Sequence, residues 1–329
     1  MNILYTIDDN YSHVLAVSLL SLFENNKQNN LNINILVKYL NSDNEKKLLD
    51  IAKKYDRNLN IIKDEKIDDF FKSFGIRKYH GSYSAYYRLI FDRYFEGYDN
   101  VLYLDADTII VNDIKSFQTI DLKENYIVAV KEPQGKHYAK LVGLKDCDYF
   151  NSGIMLLNTK KWKKDDCYNK IISALKNKNY YVYPDQDIIN IVFKGKIMVL
   201  NPKYNYMPIH RMCSEECYNN VFGFNNYYSI DNLIRTKNNP LIIHCYNFLG
   251  ESPWMKNNNH PDKHLFNYYF KKTTYNDYIP NKPKFNILYF VEKKMFKLLP
   301  ENIFFKVYKK ISIKFLKKRI YNYKKKGLK

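Results

Sequence analysis

The stretch Val101-Leu102-Tyr103-Leu104-Asp105-Ala106-Asp107-Thr108 runs four apolar residues straight into two carboxylates. A short apolar run that stops this abruptly reads as a buried strand, Asn100–Leu104, with the acidic pair at its carboxyl end. Open α/β sheets bind ligands at those ends. An Asp-x-Asp places two like charges side by side, and a divalent cation relieves them, since hard carboxylate oxygens suit magnesium and manganese. A solvated turn is the alternative for these three residues alone.

The N-terminus repeats the arrangement, with a strand over Asn2–Ile7 running into Asp8-Asp9-Asn10-Tyr11. Outward from these two strands, apolar periodicity alternates between helix and strand, which predicts an α/β fold. Helical spacing covers Tyr11–Asn25. A strand follows over Leu31–Val37, then a helix over Ser42–Tyr55 with Ser42 as cap and Glu45 three residues on. Further strands are expected at Asn58–Ile62, Ile127–Val130, Gly153–Leu157 and Pro240–His244, the last ending on a histidine. Ser82–Phe95, rich in tyrosine and carrying Arg88, and Asp185–Phe193 read as helices.

Composition narrows the class. The chain has 329 residues, 46% apolar and 26% charged, which is globular and not disordered. Five cysteines are too few, and odd in number, for a disulfide framework. Asp8 and Asp9 interrupt the N-terminus before any long apolar run develops, unlike a secretory signal, so the body is expected in a reducing cytoplasm. The formal charge is +19, and residues 287–329 carry twelve of those charges with fourteen Lys/Arg against two Glu. We therefore expect a body over residues 1–282 and a basic, aromatic tail over 283–329.

Five motifs in order extend the reading: Ile7-Asp8-Asp9-Asn10-Tyr11, Tyr103-Leu104-Asp105-Ala106-Asp107, Asn151-Ser152-Gly153, Tyr183-Pro184-Asp185-Gln186-Asp187, and His244 with Gly250 and Pro253-Trp254. Together they resemble glycosyltransferase family 8, over the chain from Met1 to about Trp254. The resemblance implies a GT-A (Rossmann-like) fold with a mostly parallel central sheet, and a retaining hexosyl transfer. The donor it implies is UDP-glucose or UDP-galactose, and the acceptor a hydroxyl of a lipopolysaccharide, glycolipid or other oligosaccharide. It also implies manganese, with magnesium as the alternative, held by Asp105, Asp107 and His244. An imidazole ligand tilts such a site toward manganese.

By the same resemblance, Ile7, Asp8, Asn10, Tyr11, Arg88, Ala106 and Gly250 bind the donor. Asn151, Asp185 and Gln186 surround the transferred sugar, with Glu132 as a further acidic neighbour. An amide oxygen is a poor nucleophile beside a carboxylate, so attack by the acceptor on the face that UDP leaves is favoured over double displacement. The family's segment usually places a lysine before Pro-Trp, whereas Ser252 stands there and the spacing from His244 is two residues longer. Lys256 is the candidate substitute.

Three further features have readings of their own. His210, Cys213 and Cys217 suggest zinc superficially, but the spacing is atypical and reduced thiols are expected. In the tail, Phe304, Tyr308, Ile311 and Phe315 recur at helical steps among lysines, which suits an anionic membrane surface at the cytoplasmic face more than a nucleic acid. A helix packed on the body is the alternative. Leu104-Asp105-Ala106-Asp107-Thr108 also fits a haloacid-dehalogenase-type phosphatase with Asp105 as nucleophile. A non-enzymatic basic membrane- or nucleic-acid-binding protein is the third class.

Overall fold

The computed structural model describes every residue except 96, 134, 146, 178–180, 223–227, 284–285 and 327–329, and the side chains of 323, 324 and 326. Nine strands are seen among the described residues: β1 (Asn2–Ile7), β2 (Asn32–Val37), β3 (Leu59–Lys63), β4 (Asn100–Leu104), β5 (Thr108–Ile110), β6 (Ile127–Lys131), β7 (Phe150–Asn158), β8 (Ile197–Val199) and β9 (Ile242–His244). Seven form the central sheet in the order β3-β2-β1-β4-β7-β6-β8. Only β7 runs against its neighbours, so the sheet is mostly parallel.

Strand order departs in opposite directions from β1 and β4, which are hydrogen-bonded to each other. That is a topological switch point, and the acidic ends of both strands open onto its crevice. The apolar run of β4 is continuous because both of its faces are covered. Leu102 and Leu104 enter one core, and Val101 and Tyr103 the other.

The first helix, Ser12–Asn25, is buried from Ser12 through Phe23. Two of its serines are matched to strand residues. Ser18 lies 3.1 Å from the Tyr5 hydroxyl and 2.9 Å from Thr108, and Ser21 accepts from the Ile110 amide at 3.0 Å. A short 3₁₀ turn, Asp9–Tyr11, precedes this helix, where the sequence suggested continuous helix from Tyr11.

Several boundaries differ from expectation for identifiable reasons. The cap of the second helix is Asn41, whose side chain accepts from the Asn44 amide at 2.8 Å, and not Ser42. The expected helix over Ser82–Phe95 is a turn of α-helix, Ser84–Tyr87, followed by 3₁₀ structure over Arg88–Arg93 that breaks at Ile90. Tyr86, Tyr87, Leu89, Ile90 and Phe91 are all buried, and the break falls at Ile90, whose φ of −121° and ψ of 27° are not helical. Strand β7 begins three residues before Gly153, because Asn151 and Ser152 are buried polar residues satisfied by side-chain partners.

The tail forms two helices, Ile287–Leu298 and Glu301–Lys326, joined at Leu299-Pro300. Its aromatic stripe is not available to lipid at the start. Phe304 and Phe305 are fully buried in the same core as β1 and β4, and Tyr308 packs against it. Glu301 accepts from the Ser214 hydroxyl at 2.8 Å, and Lys309 donates to the Val221 carbonyl at 2.7 Å. The packed-helix alternative holds for this part, because burying two phenylalanines outweighs exposing them. Residues 284–285 and 327–329 of the expected tail lie outside the described residues.

Candidate active site

Strands β5 and β9 pair antiparallel beyond the end of β4, with Thr108 opposite His244. The Cys245 amide then donates to the Asp107 carbonyl at 2.7 Å. This register carries the imidazole to the Asp-x-Asp turn. His244 Nε2 lies 3.3 Å from Asp107 Oδ1 and 3.7 Å from Asp105 Oδ2. One ligand atom from each of Asp105, Asp107 and His244 lies within 4.8 Å of the others. Ala106, between the two carboxylates, is buried.

The floor beneath them is Gly153. A Cβ there would overlap His244 Cε1 and lie 2.7 Å from Asp105 Oδ2. Burial pushes the Asp105 carboxyl up, the Arg88 guanidinium pulls it down, and Asp107 adds to the upward push, leaving it raised. Burial disfavours charge on His244, but Asp107 and Asp105 outweigh it and the imidazole is raised too. Two carboxylates and an imidazole nitrogen converging on one point are short of positive charge. That donor set fits a divalent cation of the manganese type.

Arg88 is buried beside this group. Its guanidinium lies 2.7 Å from Asp105 Oδ1 and 3.3 Å from Asp185 Oδ2, donates to the Ser152 carbonyl at 3.0 Å, and stacks 4.3 Å over the Tyr103 ring. It therefore ties the Asp-x-Asp turn to the Asp185-Gln186-Asp187 helix, Pro184–Val192, across β7. The Tyr103 hydroxyl donates to Asp105 Oδ1 at 2.7 Å. Ser152 donates through Oγ to Asp185 at 2.8 Å and through its amide to Gln186 Oε1 at 3.1 Å. Asp187 faces away from this cluster: it accepts from the Tyr149 hydroxyl and from the amides of Val182 and Tyr183, and so fixes the start of its own helix.

Asn151 and Glu132 stand on the other side of His244. Asn151 Nδ2 donates to Glu132 at 3.0 Å, and Gln186 also hydrogen-bonds Glu132. Sequence reasoning did not name Tyr103 or Ser152 individually, and it missed Asn205, which lies 3.1 Å from His244 Nδ1. Asn205 has no motif around it and follows a 3₁₀ turn, Pro202–Tyr204, so nothing local marks it.

At the far end of the crevice, Asp8 caps the Asp9–Tyr11 turn by accepting from the Asn10 amide at 3.1 Å, and Ile7 is buried beneath it. Tyr11 is 39% exposed and meets Trp254 edge to face, with ring centroids 5.7 Å apart. Both rings, with Asn10, His13 and Tyr278, line a cavity of about 580 Å³. Thus the first and last motifs of the sequence meet in one wall.

The His244–Trp254 segment departs from the simple expectation. Ser252 is buried and Lys256 is exposed, and Lys256 is not among the residues lining that cavity. Gly250 has φ +78°, and the space where its Cβ would lie is filled by the ring of Tyr289 from the tail. The adjacent Glu251 is buried and paired with Lys293 at 2.8 Å. The first tail helix therefore lies against this loop. Cys213, Cys217 and Glu301 also lie close together, whereas His210 is turned to the Met207 amide. All five cysteines are free thiols.

The mostly parallel sheet with its switch point between β1 and β4, and the acid-and-imidazole cluster beyond the end of β4, belong to a GT-A type of fold. The galactosyltransferase LgtC, solved in complex with donor and acceptor sugar analogues, superposes with a TM-score of 0.69 at 24% identity, covering 85% of this chain and 98% of that one. Residues 2–258 match the profile of glycosyl transferase family 8, and the chain belongs to that family. A putative glycosyltransferase of Haemophilus influenzae is 30% identical over 64% of this chain, and a lipopolysaccharide 1,2-glucosyltransferase of Escherichia coli is 32% identical over 62%. The matched region spans 64% and 62% of those two relatives.

Proposed function

We propose that the protein is a retaining, metal-dependent hexosyltransferase that moves glucose or galactose from a UDP-sugar to a hydroxyl of a lipopolysaccharide or other cell-surface glycan. The observation that carries this reading is the convergence of Asp105, Asp107 and His244 over a glycine that leaves them room. These three residues would hold manganese, or magnesium as the alternative, and a metal there neutralises charge developing on the departing UDP. Tyr11 stacks on the uracil, Asp8 and Asn10 read its edge, and Trp254 closes the wall. The family match and the names of the relatives support the donor and acceptor classes.

The residues around the sugar favour attack from the leaving-group face. Gln186 Oε1 already accepts from the Ser152 amide, and Asp185 is held by Arg88 and Ser152. Hydrogen bonds of that kind lower the nucleophilicity of both oxygens. The acceptor hydroxyl instead attacks C1 as the bond to UDP breaks, a phosphate oxygen takes its proton, and the Gln186 carbonyl dipole stabilises the cationic sugar. A sugar trapped covalently on Gln186 or Asp185 in a mass spectrum would overturn this mechanism. The phosphatase reading of Asp105 has less support, because Oδ1 meets Arg88 and Tyr103 and Oδ2 lies toward His244.

Attachment to the inner face of a cytoplasmic membrane is part of the same proposal. No helix among the described residues is long and apolar enough to cross a membrane. The surface that suits lipid is on the first tail helix, where Ile287, Phe290, Val291 and Leu298 are exposed at helical spacing beside Lys294 and Lys297. The division into a body over 1–282 and a tail that attaches it is a functional one in this proposal.

The test is UDP release from UDP-glucose and UDP-galactose with and without manganese, with Asp107→Ala as control. Manganese-dependent hydrolysis of one sugar, lost in the variant, is the expected result. No hydrolysis of either, or hydrolysis unchanged in the variant, would overturn the proposal.

A further inference from the structure

We infer that Asn205 is a positioning residue that holds His244 in one tautomer, with Nδ1 protonated and the Nε2 lone pair turned to the two aspartates. This rests on the metal-binding reading above and deepens it. The argument is one of hydrogen-bond polarity along a buried chain of side chains, and it starts from a group whose polarity is fixed.

The Gly153 backbone N–H can only donate, and it donates to the Asn151 side chain at 2.9 Å. The atom it meets must be the Asn151 carbonyl oxygen, so the Asn151 amide nitrogen points the other way, to the Glu132 carboxylate at 3.0 Å. Either end alone sets the orientation of Asn151, and both agree. Asn205 also contacts Asn151 Oδ1, at 2.9 Å. An oxygen that accepts must be met by a donor, so Asn205 presents Nδ2 there and its Oδ1 faces His244 Nδ1 at 3.1 Å. That nitrogen is consequently the protonated one.

With Nδ1–H committed to Asn205, a neutral imidazole has its lone pair on Nε2, the atom 3.3 Å from Asp107 and 3.7 Å from Asp105. Donation of the second ring N–H to an amide oxygen orients a histidine for metal ligation. Asn205 is fully buried and Asn151 and His244 nearly so, so bulk water does not compete for the bond in the folded protein. The relay also gives Asn151 a second task, since its oxygen transmits the polarity set at Gly153.

The experiment uses the full chain labelled with ¹⁵N-histidine. The ring nitrogens of His244, assigned by their loss in His244→Ala, are read in the metal-free protein at a pH high enough to leave the ring neutral. Manganese affinity is measured separately by electron paramagnetic resonance of free manganese. The expected result is the Nδ1–H tautomer in the wild type. In Asn205→Leu we expect loss of that preference and manganese binding weakened about 10–100-fold. Asn205→Val, a smaller apolar side chain that also removes the acceptor, serves if the leucine variant does not fold, and the same loss is expected there. An Nε2–H tautomer in the wild type, or the Nδ1–H tautomer persisting in Asn205→Leu, overturns the inference. Absence of manganese binding by the wild type overturns the metal reading instead, while the tautomer still decides the role of Asn205.

Discussion

Gly153 and His244 touch so closely that a Cβ on the glycine would overlap the imidazole. The contact explains why a glycine interrupts a nine-residue buried strand whose other positions favour side chains that pack. We predict that Gly153→Ala displaces His244 and lowers manganese affinity at least tenfold. Overpacking of this kind costs about 1–3 kcal/mol, so the protein should still fold. Manganese titration beside a melting curve separates the two effects.

Arg88 is the other closely held element. Removing one partner of a buried ion pair leaves uncompensated charge and costs about 3–5 kcal/mol. Arg88→Ala leaves both Asp105 and Asp185 without their cation and should be strongly destabilised in urea. It should also raise the Asp105 carboxyl further, since the guanidinium is what pulls it down. Arg88→Lys restores one charge but not the two-carboxylate fork, and should recover stability in part while turnover stays low.

Asp187 gives a pH signature. Burial pushes its carboxyl up to about 7, so the folded state favours its protonated form more than the unfolded chain does. Its contribution to stability is present at acid pH and is lost as pH rises from about 4 to about 7. Asp187→Asn cannot titrate and can still accept from the Val182 and Tyr183 amides. The gap in stability between variant and wild type should therefore move in the variant's favour by a few kcal/mol across that range, on the order expected for a shift of this size. Parallel pH profiles of the two proteins would refute it.

Two parts of the tail should behave differently. Phe305→Ala empties a fully buried site and should cost about 3–5 kcal/mol. Phe290→Asp alters an exposed side chain and should leave stability unchanged while weakening binding to anionic liposomes several-fold. Flotation and denaturation of both variants check this. Equal liposome binding by Phe290→Asp and wild type would move the lipid surface elsewhere.

The local sequence by itself determined the strands that carry the site. The runs Ile3-Leu4-Tyr5 and Val101-Leu102-Tyr103-Leu104 are continuous in apolar residues because both faces are buried, and the acidic residues that follow their strands mark the site. That information lies within a few residues and survives without knowledge of the rest of the chain. What tertiary structure decided is everything that depends on which distant segments meet. The pairing of Thr108 with His244, the buried link from Asn205, the break at Ile90 and the burial of Phe304 and Phe305 have no local signature. Hydrogen-bond polarity and burial are properties of partners, and partners are assigned only when the chain packs.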